Sequence, residues 1–365
     1  RLGVAEYNTK DAQALVVELP PKTVTTTIAK PAEGSRQWWS GSGDELNNTL
    51  TRSIDLTGFS SATLALKGWY EIEEDYDFLY TEVSADGGKS WTVLDGTVDG
   101  KPLPRDEAGI PVLTGTSGAY TDLVFPLDAH AGKKIGLRFR YRTDGAVALR
   151  GFAADAITVT ADGKPILTDG AEDDTGGWTA DGFSRIGESI TKDHPQYYIA
   201  ENRQYVSYDE VLRTGPYNFG FASTKPDWAE HFPYQNGLLI SLWDTSHTDN
   251  NVGDHPGEGL ILPIDAHAKP MKWSDGTLMR TRIQSYDATF SHYRTDGFTL
   301  HLDGKATKVK SHRGTPVFDD RKGTYWYEEA PHSSVKVPDT NTRIRILHES
   351  PFGGPMTVRV EKSSG

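Results

Sequence analysis

Asp-Gly and Gly-Gly pairs punctuate the whole chain, in ADGGKS, VDGK, TDGA, ADGK, SDGT, TDGF and LDGK. Between them run short segments in which apolar and polar residues alternate, TLALKGWY, FLYTEVS, KIGLRFRYR and AITVTADGKPIL among them. An Asp-Gly pair accepts positive φ at both central positions of a tight hairpin, and alternation with period two turns one face of a strand to a core. Helical spacing is scarce. The pattern predicts an all-β protein with consecutive strands of a sandwich.

The chain has 365 residues, 36% of them hydrophobic and 10% aromatic, enough for about two domains. Lys and Arg number 38 against 51 Asp and Glu, a formal charge of -13 that repels phosphate backbones and anionic lipid, so nucleic acid is not an expected partner. There is no cysteine, and a metal must rest on His, Asp, Glu, Asn or backbone oxygen. No apolar run is long enough for a membrane span, and the opening residues RLGVAEYNTK lack the pattern of a signal peptide.

Residues 31–168 read as one compact sandwich, followed by DGAEDDTGGWTADG, a connection poor in apolar residues. In YEIEEDYDFLY, alternation puts Glu71, Glu73, Asp75 and Asp77 on one face of a strand. In KIGLRFRYR it does the same for Arg138, Arg140 and Arg142, and the two ladders are expected to pair across neighbouring strands. The phrases PLDAHAGK and PIDAHAKP echo each other, from Pro126 and Pro263, without establishing a repeat.

The search for chemistry is mostly negative. No HExxH zinc motif is present: the His348-Glu349 pair is followed by SPF, where a Pro opposes a helix. There is no inverted HxxEH, GxSxG elbow or phosphate loop. A glycosidase pair of carboxylates has 51 acidic residues to draw on and stays open.

One loop stands out. Asp244, Asp249, Asn250, Asn251, Asp254 and Glu258 offer side-chain oxygens among Gly253, Gly257 and Gly259, a composition that suits a calcium cage and equally a long hydrated turn; His247 and His255 raise zinc as a lesser alternative. A second candidate cation site is Asp44 and Glu45 in SGSGDEL with Asp155 in GFAADAI, if the first and last strands of the sandwich lie side by side. Trp38, Trp39, Trp69 and Trp91 would suit sugar stacking, but their strand-like contexts favour core packing.

The series QWWSGSGDEL, GWYEIEEDYDFLYTEVSADGGKSW, YYIAENRQYVSYDE, NGLLISLWDTSHTDNN, GDHPGEGL and DAHAKPMKWSDG resembles the region downstream of the catalytic domain in immune inhibitor A-type secreted bacterial metallopeptidases, over nearly the whole chain. The resemblance implies a jelly-roll-like, MAM-like sandwich at 31–168, inserted into a second β-sandwich-type domain made of residues 1–30 and 169–365, whose ALVVELP segment pairs with later strands. It implies an extracellular protein whose partner is its own upstream protease domain, with zinc confined to that domain and no catalytic residue in this chain. Structural calcium in the β domains is implied too. Asp155 stands where MAM-like modules use an aspartate for a structural cation, and Ala156 departs from the second Asp found there. The expected function is therefore non-catalytic support of a zinc endopeptidase, with substrate or surface binding as a finer possibility. A carbohydrate-binding module is the alternative, and a hydrolase within the chain itself a third reading.

Overall fold

The computed structural model describes residues 1–173, 176–213, 235–302, 305–321, 323–351 and 353–363. The Asp303-Gly304 turn of LDGK, and Asp174 and Thr175 of the connection after the sandwich, lie outside these residues. The chain is all-β and divides into two compact units, Thr25–Thr191 and Arg1–Val24 with Lys192–Gly365. Among the described residues no helix is long and apolar enough to cross a membrane.

The Thr25–Thr191 unit is a β-sandwich. One sheet runs in the order Ser184–Ile186, Gln37–Trp39, Gly151–Ala161, Ala62–Ile72, Thr121–Pro126, Thr97–Val98, Lys101–Pro102, with Lys164–Asp169 and Gly115–Thr116 attached to its central strands. The other runs Thr179–Asp181, Asn47–Asp55, Lys134–Arg142, Phe78–Ser84, Thr92–Val93. Alternation does what it should. Leu64, Leu66, Leu123, Phe125 and Phe152 of the first sheet share a buried core with Leu137, Phe139 and Tyr141 of the second, and the Phe139 and Phe152 rings lie 6.3 Å apart. The turns follow their sequence as well: Asp99-Gly100 and Asp162-Gly163 take φ of 48° and 74°, and of 46° and 73°, between paired strands.

The unit's limits differ from the 31–168 span read from composition. Past Thr168 the chain adds one short strand to each sheet, Thr179–Asp181 beside Asn47–Asp55 and Ser184–Ile186 beside Gln37–Trp39, and brings Trp178 and Phe183 into the core. A stretch rich in Asp and Gly hides these two aromatic residues from a compositional reading.

The expected pairing of an acidic with a basic ladder is corrected. Strand Ala62–Ile72 ends before the acidic run is complete, and the amides of Tyr76 and Asp77 turn back to the carbonyl of Glu73, with Asp75 at φ 70°. Only Glu71 stays on the strand, paired with Arg150. The basic ladder instead meets Glu82 of strand Phe78–Ser84, whose buried carboxylate lies 2.6 Å from Arg138 and 2.9 Å from Arg140. The Arg138 guanidinium also covers the Trp91 ring at 4.0 Å, and Arg140 covers Tyr80 at 4.4 Å.

In the other unit, strands Leu15–Thr27, Ser189–Arg203, Gly237–Asp244 and Ile261–Ile264 form one sheet in that order, so the ALVVELP segment lies beside a strand more than 160 residues later. Strands Val317–Asp319, Thr342–Glu349 and Met356–Lys362 form another. The amide of Leu2 donates to the Met356 carbonyl at 2.7 Å and the Met356 amide returns the bond at 2.8 Å, tying the first residues to the last strand. Tyr198, Leu238, Ile240, Phe290, Phe318, Ile344 and Ile346 make the core, with Tyr198 edge-on to Phe318 at 4.8 Å.

Candidate functional site

The oxygen-rich loop connects strand Gly237–Asp244 to strand Ile261–Ile264, its partner in the sheet. Asp244 closes the first strand and is buried. Its Oδ2 accepts a hydrogen bond from Lys22 Nζ at 2.9 Å, and the same ammonium donates to Glu258 Oε1 at 3.1 Å. Lys336 stands 3.5 Å from the other Glu258 oxygen. His247 Nε2, buried and without a hydrogen-bond partner, lies 4.0 Å from Asp244 and 3.8 Å from Glu258. Burial by itself would raise the Asp244 pKa, but bonds from Ser246 and Lys22 outweigh it and hold the group below its ordinary value.

The remaining residues of the loop bond among themselves. Asp249 Oδ1 accepts from the Asn251 amide at 2.6 Å and meets His255 Nε2 at 2.9 Å. Asn251 donates to Asp254 at 2.5 Å, and Asn250 Oδ1 accepts from the Ile261 amide at 2.8 Å, where the next strand begins. The structure thus brings Asp244 and Glu258 to one point and leaves Asp249, Asn250, Asn251 and Asp254 in separate turn contacts. Gly257 has φ 78°, and a Cβ there would fall 2.3 Å from the Trp326 ring, so the loop's course past Glu258 needs a glycine.

At the convergence point a lysine supplies positive charge. Lys22→Met is expected to leave Asp244 buried without its cation and to cost about 1 to 3 kcal/mol. Urea denaturation measures this, and an unchanged midpoint would mean that the ammonium carries none of the charge balance.

In the sandwich, Asp155 is fully buried but engaged by backbone: its Oδ2 accepts from the Glu33 amide at 2.9 Å and its Oδ1 from the Ala156 amide at 2.7 Å. Ala156 takes φ 48° at the bulge where the register against strand Ala62–Ile72 shifts. Burial raises the Asp155 pKa, with these amides opposing. Asp44 and Glu45 lie elsewhere. Their loop touches the start of strand Gly151–Ala161, where Gly151 abuts the Gly41 carbonyl, and Asp155 is four residues, about 13 Å, further along. The Glu45 amide donates to the Asp144 carbonyl at 2.5 Å, and the Asp44 charge acts on Asp77. The structure therefore separates Asp44 and Glu45 from Asp155.

Two clusters that the sequence reading did not assemble lie among the described residues. Glu73, Asp77 and Asp144 bring one oxygen each to within 4.8 Å of one another, as do Asp265, His267 and Asp287 with a carboxylate oxygen or ring nitrogen. Asp265 and Asp287 are both buried, and the Asp287 Oδ1 has no hydrogen-bond partner. His267 places Nδ1 2.8 Å from the Asp287 carbonyl and Nε2 3.1 Å from the Arg313 carbonyl. A carbonyl oxygen cannot donate, so Nδ1 donates to the Asp287 carbonyl, while Nε2 also lies 3.4 Å from the Thr315 hydroxyl. Burial pushes the Asp265 pKa up to about 6, and burial with the neighbouring Asp265 charge drives Asp287 well above the ordinary range. The signal available in the sequence was the phrase PIDAHAKP, which holds Asp265 and His267 two residues apart.

Of the four tryptophans considered for sugar stacking, Trp38 and Trp69 are buried, Trp39 donates to the Arg150 carbonyl at 2.8 Å, and Trp91 has Arg138 over its face.

Fold and clusters together define a tandem of β-sandwich modules, one inserted in the sequence of the other, with carboxylates gathered where strands turn. The chain belongs to the immune inhibitor A-like metallopeptidase family: residues 1–188 match the model of the immune inhibitor A-like MAM domain, and residues 191–355 match that of the immune inhibitor A-like metallopeptidase VEG domain. The MAM match includes residues 1–24, which pack with the other unit. A pre-pro-metalloprotease PrtV of Vibrio cholerae is 33% identical over 350 residues, 95% of this chain and 36% of the relative. Immune inhibitor A of Bacillus thuringiensis subsp. alesti is 30% identical over 353 residues, 94% of this chain and 47% of the relative. Bacillopeptidase F of Bacillus subtilis is 27% identical over 113 residues, 31% of this chain and 7% of the relative. The chain spans less than half the length of each of these proteins.

Proposed function

We propose that the chain is the non-catalytic accessory region of a secreted zinc metalloendopeptidase of the immune inhibitor A type, working outside the cell. Its role is to support the protease domain as a rigid β scaffold, and protein substrates are the further class of partner it meets. The observation that carries this reading is the match of both modules to domains named for such peptidases, in a chain that itself holds no HExxH motif. Fold alone would not distinguish support from glycan binding. The tryptophans favour support, since Trp38 and Trp69 are buried and Arg138 covers Trp91.

The test has two parts. The purified chain is assayed for zinc content and casein cleavage, and the family's protease domain is then expressed with and without the chain. Support predicts an inert chain and a higher yield of active protease in its presence. Stoichiometric zinc with proteolysis by the chain alone would overturn the reading, and retention on a glycan affinity gel would replace it with surface targeting.

A further inference from the structure

Among the described buried acids of the sandwich, Asp155 is matched to backbone amides, Asp169 to indole N–H groups and Glu82 to arginines, and Asp77 alone keeps a buried oxygen without a partner. Glu82 has Arg138 and Arg140, and the half-buried Glu71 has Arg150. Asp77 has no accessible surface at all, yet neither it nor Glu73 nor Asp144 forms an ion pair with a lysine or arginine among the described residues. Asp77 Oδ1 accepts from the Asp144 amide at 2.9 Å, while its Oδ2 is buried with no partner. The Tyr141 hydroxyl, whose ionisation is opposed by burial and then by the Asp77 charge, is also without a partner. A bare buried carboxylate oxygen among like charges is costly unless a cation compensates it.

We infer that Glu73, Asp77 and Asp144, with Asp44 nearby, form a binding site for a hard divalent cation of the calcium class. The donors are oxygens only, with no imidazole or thiolate in the cluster, which favours calcium over zinc. Asp77 anchors the site from inside the fold, whereas Asp144 is exposed and Glu73 half-exposed, leaving an open side where water completes the six to eight ligands that calcium takes. The ion ties the turn after strand Ala62–Ile72 to the Thr143–Gly145 turn after strand Lys134–Arg142, two segments otherwise joined by the single Asp144 amide bond to Asp77. Burial first, and the neighbouring acids after it, raise the pKa of both Glu73 and Asp77. This site is separate from Asp155, whose oxygens are already satisfied by amides.

The experiment is calcium titration by calorimetry, with thermal melts, on the chelator-treated full chain and on two variants. Asp77→Asn keeps the acceptor for the Asp144 amide but removes the charge, and Glu73→Gln sits nearer the surface and is expected to fold whatever the first does. The wild type is expected to bind calcium and gain several degrees in Tm. Each variant is expected to lose one bound equivalent, or to bind it at least tenfold more weakly, with a smaller gain in Tm. A wild type that binds no calcium, or a Glu73→Gln variant that binds as many equivalents as tightly as the wild type, overturns the proposal.

Discussion

A fragment of residues 25–168 is expected not to fold, whereas residues 25–191 unfold in one cooperative transition. The difference lies in Trp178 and Phe183, both buried in the sandwich core. Trp178 packs 5.9 Å from Phe139, and its indole N–H shares Asp169 Oδ2 with that of Trp38, at 3.1 and 2.8 Å. Truncating a buried aromatic residue costs about 3 to 5 kcal/mol, so losing both costs roughly 6 to 10 kcal/mol. That is comparable to the whole stability of a domain, about 5 to 15 kcal/mol. The shorter fragment also loses the edge strands of both sheets. Circular-dichroism melts of the two fragments decide it, and a sharp transition in the shorter one would show that the core closes without these residues.

Asp287→Asn is expected to stabilise the metal-free protein at pH 8, by on the order of 1 to 3 kcal/mol, the usual cost of a buried polar group left unsatisfied, and to do little at pH 4. Burial first, and then the neighbouring Asp265 charge, raise the Asp287 pKa well above the ordinary carboxylate range. The sign follows from linkage. An acid whose pKa is raised on folding contributes stability below its unfolded pKa and loses it as the pH climbs through the folded value. The wild type should therefore weaken as the pH climbs from about 4 through about 6, where the buried pair is forced to ionise side by side against the His267 ring. The variant removes one of the two charges from the buried pair. Urea melts at pH 4, 6 and 8 in chelator measure the two curves. A variant less stable than the wild type at pH 8 would mean that both carboxylates are charged and matched in the native state.

Hairpin turns were legible because their chemistry is local: Asp99-Gly100 and Asp162-Gly163 need only two residues that accept positive φ. So was the packing of Trp38 and Trp69, from their place in alternating strands. The acidic ladder was misread for the converse reason. Period-two spacing continues through Glu73, Asp75 and Asp77 although the backbone has already turned, and nothing in the spacing records the carbonyl of Glu73 that the turn closes on.

The cation candidates mark the same divide. Residues 244–258 announce a concentration of oxygen, but the ammonium that Asp244 and Glu258 share comes from Lys22, 222 positions before Asp244. Asp77 and Asp144 meet across 67 positions through one amide. From the amino-acid order alone came the β class, the places where the chain reverses and the family it resembles, since each depends on neighbours a few residues apart. Which acids share a point, and whether an arginine, a lysine, a proton or an ion balances them, was decided by the path of the chain, because electrostatic pairing acts through distance in space and the sheets bring together segments that the sequence holds far apart.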